Sequence, residues 1–163
     1  MDVNQRPTPE SLGEIGIFGG LDEESLSVLT EQLEIRVVEP GQVVVNEGDT
    51  DAEMFVVLYG ELEVMKKATD GRMVRVALFG PGGWFGDMSV LDVQPRSATV
   101  RSLARTQMLV MSSHDVRHYL YERDPKAYAI FVMNVARELS RRLRVANGLL
   151  SQVMLGISGS MQP

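Results

Sequence analysis

The sequence predicts an α+β fold in which an antiparallel β-barrel, or double-stranded β-helix jelly roll, is flanked by a short N-terminal helix and a long C-terminal helix. Three observations lead to it. Between Glu34 and about Ser112, short runs of Val, Leu, Ile and Met are broken at regular intervals by glycine-centred turns, which is the pattern of many short antiparallel strands. Before that region leucines recur at helical spacing. After it, a long stretch carries apolar residues alternately four and three apart.

The elements follow in order. Met1 to Ser11 holds two prolines and few apolar residues, and a flexible arm is expected over residues 1–14. In Leu21–Leu33 the residues Leu26, Leu29 and Leu33 share one helix face. Asp22, Glu23 and Glu24 stand in its first turn, where acids meet the positive end of the helix dipole. The expected strands are Ile35–Val38, Val43–Asn46, Met54–Tyr59, Leu62–Lys66, Val74–Phe79, Ala98–Ser102 and Gln107–Met111. They are separated by Pro40-Gly41, Glu47-Gly48-Asp49, Tyr59-Gly60-Glu61, Thr69-Asp70-Gly71 and Gly80-Pro81-Gly82-Gly83. Asp70-Gly71 between two such runs predicts a hairpin.

After Met111 the period becomes helical. Ser112 or Ser113 can cap a short helix running to Tyr121, and Asp124-Pro125 places a cap and a proline at the start of a longer one. Within it Val132, Ala136, Leu139, Leu143, Ala146, Leu150 and Val153 form a seam of the coiled-coil kind, which points to a homodimer through this helix. The Gly and Ser content from Gly156 predicts a flexible tail over 156–163. One domain over 15–155 is thus expected, its barrel at about 34–112 and its C-terminal helices at about 113–155.

Composition bounds the function. The chain has no cysteine, so disulfides, thiolate nucleophiles and cysteine zinc sites are excluded, and a reducing cytoplasm is the expected setting. The N-terminus lacks the basic start and apolar core of a signal peptide, and no apolar run is long enough to span a bilayer, so no membrane partner is expected. Charge is unevenly placed: residues 1–63 carry 15 acids and 2 bases, residues 96–163 carry 4 acids and 10 bases. The acidic front argues against nucleic acid as the main partner, and Arg137, Arg141, Arg142 and Arg144 read as a solvated helix face. His114 and His118 have a metal-ligand spacing but no third ligand, so no metal is expected. Cupin-type metal chemistry would need strand histidines, and both of these follow the barrel. With no nucleophile elbow, Walker loop or carboxylate pair, an enzyme is not expected.

The most informative run is Phe85-Gly86-Asp87-Met88-Ser89-Val90-Leu91, followed after a short connector by Arg96-Ser97-Ala98-Thr99-Val100. Gly86 lets backbone approach a ligand, and amides of a helical turn starting at Asp87 can point at an anion. Arg96 brings a fork of donors suited to phosphate, and Ser97 adds another. A carboxylate would repel phosphate, so a functional Asp87 belongs opposite an uncharged hydroxyl such as a ribose. The structural reading of the same residue is a turn cap or a partner for Arg96.

These residues resemble the phosphate-binding cassette of the cyclic-nucleotide-binding domain, the family that includes the catabolite activator protein and the regulatory subunits of cyclic-AMP-dependent kinase. The family pattern, Phe-Gly-Glu, small or apolar residues, a variable stretch, then Arg-Ser/Thr-Ala, is met by Phe85, Gly86, Asp87, Met88-Ser89-Val90-Leu91, Arg96, Ser97 and Ala98. The glycine pattern of the early strands and both flanking helices also match, over roughly residues 15–155. The resemblance implies that Gly86, Met88, Arg96 and Ser97 hold the cyclic phosphate, that Asp87 binds the ribose hydroxyl, and that the Arg142–Leu143 region covers the purine. Asp87 replaces the usual glutamate and is one methylene shorter, so a water or a shifted turn would have to complete its reach.

The expected function is therefore a regulatory module that binds cAMP or cGMP and signals through movement of the C-terminal helix to an unknown protein partner. The alternative is a structural, dimerisation or interaction module with a degenerate pocket. Only about eight residues follow Leu155, too few for a helix-turn-helix, so direct DNA binding is not expected.

Overall fold

The structure, a computed structural model, describes residues 6–92 and 94–159, apart from the side chains of 153 and 155–159. Two four-stranded antiparallel sheets face each other. One has the order β1-β8-β3-β6, from Glu34–Val38, Thr106–Ser112, Glu53–Tyr59 and Trp84–Phe85. The other is β2-β7-β4-β5, from Val43–Val45, Thr99–Ser102, Leu62–Lys67 and Met73–Phe79. This is the expected jelly roll.

The two-residue period of the strands divides the core in two. In β3, Phe55 and Val57 point into the roll, where they meet Met108 and Val110 of β8 with Leu62, Phe85 and Val100. The intervening Met54 and Val56, with Leu109 and Met111, face the other way onto the helices. Burial on both faces explains why β3 and β8 are nearly continuous apolar runs. By contrast β5 is an edge strand whose residues Val74, Val76 and Leu78 are about half exposed. Between β4 and β5 the expected hairpin forms, with Gly71 at φ 85° and the Ala68 amide donating to the Arg72 carbonyl at 2.8 Å.

The outer face of the first sheet is covered by helices from both ends of the chain. α2 (Glu23–Gln32) is capped by Asp22, whose carboxylate accepts from the Ser25 amide at 2.9 Å, and it buries Leu26 and Leu29. α5 (Pro125–Gly159) buries Ala127, Phe131 and Val135, with Phe131 stacked on Phe18 at 6.4 Å. Each buried Leu, Phe and Val among these contributes about 1.5–3 kcal/mol by leaving water. The Asn134 amide donates to the carbonyls of Ile17 and Gly19 at 3.2 and 2.8 Å, fastening the N-terminal segment to α5.

Three sequence expectations are corrected. Residues 9–13, placed in the flexible arm, form helix α1 (Pro9–Gly13) with a Thr8–Ser11 capping box and fully buried Leu12. Arg6 donates to the carbonyls of Thr30 and Leu33 at the end of α2. Residues 1–5 of that arm lie outside the described residues. At the other end α5 runs on through Gly159, into the expected tail, while 160–163 lie outside the described residues. The short helix capped by Ser112 starts as α4 (Ser113–Asp115) but continues as a π-helical turn, Val116–Tyr121. A further finding overturns no expectation: the α5 face that packs on the domain is Ala127–Phe131–Val135, and the side chain of the seam residue Val153 lies outside the described residues. In the predicted seam Val132 and Leu139 are half-buried, whereas Ala136, Leu143, Ala146 and Leu150 are exposed.

Candidate functional site

Strand β6 ends at Phe85, which stacks on Phe55 at 4.9 Å and Phe79 at 5.7 Å, and the chain then turns sharply into helix α3 (Asp87–Asp92). The turn requires glycine twice over. Gly86 has φ 82°, and a Cβ there would lie 2.5 Å from the Glu53 carbonyl oxygen and 2.5 Å from Arg96 Nη1. Backbone at this position is therefore packed directly against the guanidinium that the sequence paired with it.

Arg96 is held from several sides. Its amide donates to the Asp49 carbonyl at 2.7 Å, and its own carbonyl accepts from the Gly48 amide at 2.9 Å. The side chain is 3% exposed, lies over the Phe55 ring at 5.6 Å, and donates through Nη2 to Asp51 Oδ2 at 2.5 Å. That bond holds the Asp51 carboxyl below its ordinary range. Yet Nε and Nη1 of Arg96, both buried, have no hydrogen-bond partner. Leaving such donors unmatched costs on the order of 1–3 kcal/mol each, so a fixed guanidinium with two unmatched N–H groups has the chemistry of an anion receptor.

Asp87 stands on the other side of Gly86, with its side chain 4% exposed. It does not pair with Arg96. Its Oδ1 lies 3.5 Å from Nη1 of Arg142 on α5, and its buried Oδ2 has no partner. Burial pushes this carboxyl above the usual range, opposed by Arg142 and by the amides of Asp87 and Met88. In this conformation those amides therefore act on the Asp87 carboxylate itself.

A cavity of about 210 Å³ joins these groups. Gly86, Asp87, Met88 and Ser89 line one wall, Arg96, Ser97 and Ala98 another, and Arg142 stands at the helix side. Phe85 and Ser89 are buried in the wall, whereas Met88 is 53% exposed. The apolar base comes from Val45, Val64, Ala77, Phe79 and Val100. Nine of the ten residues singled out from sequence thus line one cavity. The exception is Leu143, which is 61% exposed and does not line it.

Besides the apolar base, the sequence reading missed three polar contributors. Asp51, the carboxylate on Arg96, sits 45 positions earlier; the acidic stretch Gly48-Asp49-Thr50-Asp51 was its only signal. Glu138 accepts from Arg141 Nη2 at 2.7 Å and from Arg142 Nε at 2.9 Å, and these two hydrogen bonds, Arg141's first, lower its pKa to about 2. The Trp84 carbonyl accepts from Arg142 Nη2 at 2.9 Å. Among the described residues, no group of three or more His, Asp or Glu is placed to hold a metal ion, and no helix is long and apolar enough to cross a membrane.

The stretch that holds Gly86 and Arg96 lies within a segment similar to known proteins. The sequence profile of the cyclic nucleotide-binding domain matches residues 35–123. A CRP-like cAMP-activated global transcriptional regulator of Mycobacterium tuberculosis is 26% identical over 145 residues, covering 89% of this chain and 62% of the regulator, so the chain spans less than two thirds of that relative. The crystal structure of the Thermus thermophilus catabolite activator protein superposes with a TM-score of 0.76 at 27% identity, over 85% of this chain and 63% of that one. The regulatory domain of Toxoplasma gondii PKA, co-crystallised with cAMP, superposes with a TM-score of 0.64 at 26% identity, over 73% of this chain and 45% of that one. With the profile matching more than half of its length, the chain belongs to the cyclic nucleotide-binding domain family.

Proposed function

We propose that the chain is a regulatory module that binds a purine cyclic nucleotide in the cavity beneath α5. The observation that carries this reading is the buried Arg96 guanidinium, fixed by Asp51 and by the Gly48-Asp49 turn, with two donors unmatched beside a glycine turn. The cyclic phosphate takes those donors and Ser97, with Gly86 and Met88 closing over it. Asp87 accepts from the ribose 2′-hydroxyl through its unpartnered Oδ2. The base rests on the apolar residues beside Phe79 and Val100, near Arg142. Family members co-crystallised with or activated by cAMP support cAMP as the first ligand to test, with cGMP beside it.

The module acts by binding, with no chemical step of its own. Its cysteine-free sequence supports a reducing, cytoplasmic setting. The exposed residues Ala136, Leu143, Ala146 and Leu150 support a homodimer through α5, because an apolar stripe at this spacing is stable in water when a second helix covers it. Nucleotide binding then shifts the position of α5, and with it the surface offered to a protein partner. Such a shift requires the ligand to favour one helix arrangement over the other.

Calorimetric titration of the folded chain with cAMP and cGMP tests the reading. Submillimolar binding that is lost in Arg96→Ala supports it. An absence of heat with either nucleotide overturns it and leaves a dimerisation or interaction module built on the same fold.

A further inference from the structure

We propose that the surface around Gly16 is a docking groove for an extended segment of a partner protein, apolar at one end and acidic at the other. The groove is separate from the nucleotide cavity, and its occupation does not depend on the nucleotide reading.

Gly16 lines two cavities at once. One, of about 420 Å³, has apolar walls from Ile15, Val57, Leu58 and Pro81. The other, of about 310 Å³, runs along α5 between Trp84 and three arginines, Arg137, Arg141 and Arg144. A Cβ at Gly16 would lie 3.6 Å from Trp84 Cη2, so the glycine keeps the junction of the two cavities open. Both walls are fixed. The Asn134 amide donates to the Ile17 and Gly19 carbonyls at 3.2 and 2.8 Å, while the Val57 amide and carbonyl bond Gly83 and Gly82, each at 2.8 Å. A preformed groove spares its occupant the cost of ordering it.

Charge gives the groove a direction. Arg137 and Arg144 are exposed, and neither forms an ion pair among the described residues; they donate to the neutral side chains of Asn134 and Ser140. Arg141 is held by Glu138, the one acid of this cavity, which Arg142 also engages. The arginine end is therefore positive, whereas the other end carries a single charged residue, Glu14. A run of carboxylates is attracted to the first end and repelled from the second. Arg137 and Arg144 stand two turns apart, about 10.5 Å along α5. Three residues of polyproline II chain advance about 9.3 Å and return side chains to the same face, so carboxylates at every third position match the two arginines. Dimerisation leaves the groove open. With Ala136, Leu143 and Leu150 at the a positions of the seam, Arg137 and Arg144 fall at b and Arg141 at f, away from a partner helix.

Trp84 is the chain's one tryptophan, so its emission reports on the groove without a label. The full chain is titrated with synthetic peptides, to about 1 mM. The peptides are free of aromatic residues, with leucine and proline in one half and aspartate at every third position of the other, in both chain directions. A saturable emission change is expected in one direction at least. It should weaken about tenfold in Arg137→Glu/Arg144→Glu, weaken as salt rises from ~0.05 to ~0.5 M, and vanish when lysines replace the aspartates. Gly16 lacks the left-handed φ that demands glycine, so Gly16→Phe should fill the junction and abolish binding at an unchanged urea midpoint. Should that variant fail to fold, the charge reversal of the two exposed arginines still decides. Unchanged emission with both peptide directions overturns the proposal, as do equal binding by the reversed arginines or by the lysine peptide. An oligothymidylate that binds where the peptides do not overturns it by giving the arginines to nucleic acid. A peptide-insensitive emission that follows protein concentration alone overturns it by giving the groove to the acidic front of a second copy.

Discussion

Replacing Asp51 by Asn removes one charge from the partnership that holds Arg96 and keeps nearly the same shape. Arg96 is 3% exposed in its side chain, and among the described residues its one ion-pair partner is the Asp51 carboxylate, at 2.5 Å. Stranding a fully buried ion after deleting its partner costs about 3–5 kcal/mol. Two features reduce that figure. Asp51 is itself 43% exposed, so solvent screens the pair, and the guanidinium keeps its place over the Phe55 ring at 5.6 Å. The expected loss is therefore about 1.5–3 kcal/mol, the range of a charge-assisted hydrogen bond.

For a domain of this size a loss of 2 kcal/mol lowers Tm by about 4–8 °C. Urea unfolding at pH 7 measures it, with an unchanged m-value showing that stability alone has moved. The pH dependence has a definite sign. Because Arg96 lowers the Asp51 pKa in the folded state, its contribution is present above the ordinary carboxyl value of 3.8 and disappears as pH falls below it, so the gap between variant and parent closes on acidification. On the proposed reading a bound cyclic phosphate supplies a replacement anion, and cAMP should then raise Tm more in Asp51→Asn than in the parent. A loss below about 0.5 kcal/mol, within the range of ordinary surface changes, would refute the view that Asp51 holds Arg96 in place.

Three further outcomes follow from the geometry. Gly86→Ala puts a Cβ at φ 82° against the Glu53 carbonyl and the Arg96 guanidinium; it should cost about 2–4 kcal/mol in denaturant unfolding and abolish nucleotide binding. Asp87→Glu restores the missing methylene and should tighten cAMP binding several-fold by calorimetry, while an unchanged affinity would remove the ribose role from this residue. Replacing Leu143 and Leu150, each 61% exposed, with Glu should leave unfolding of the domain within about 0.5 kcal/mol yet lower the sedimentation mass of a dimer to that of a monomer.

The roll was legible because its strands are short apolar runs cut by glycine turns, and seven of its eight strands fall where that pattern puts them. β6 escaped because two residues, Trp84 and Phe85, carry no period of their own; their pairing with Val56 and Phe55 makes them a strand. α1 escaped because Pro7 and Pro9 resemble loop residues until Thr8 is recognised as a cap with proline at the first helical position. On α5 two apolar faces compete, and spacing alone does not say which one the domain covers. Phe18, stacked on Phe131, settles that question in three dimensions.

At the site, Gly86, Asp87 and Arg96 were legible because the turn, the acid and the cation lie within one short stretch. The partners of the charges were not legible, since Asp51 and Arg142 are brought in from 45 residues before Arg96 and 55 residues after Asp87.

The central claim is that a cyclic phosphate sits between the Gly86 turn and Arg96, and the most direct measurement is an NMR titration of 15N-labelled protein with cAMP. The account predicts that the backbone amides of Gly86, Met88 and Ser97 and the Arg96 Nε resonance shift together, on one binding curve, and that Arg96→Ala abolishes the shifts of the three amides. Binding that moves other amides while leaving Gly86 and Arg96 in place would contradict it.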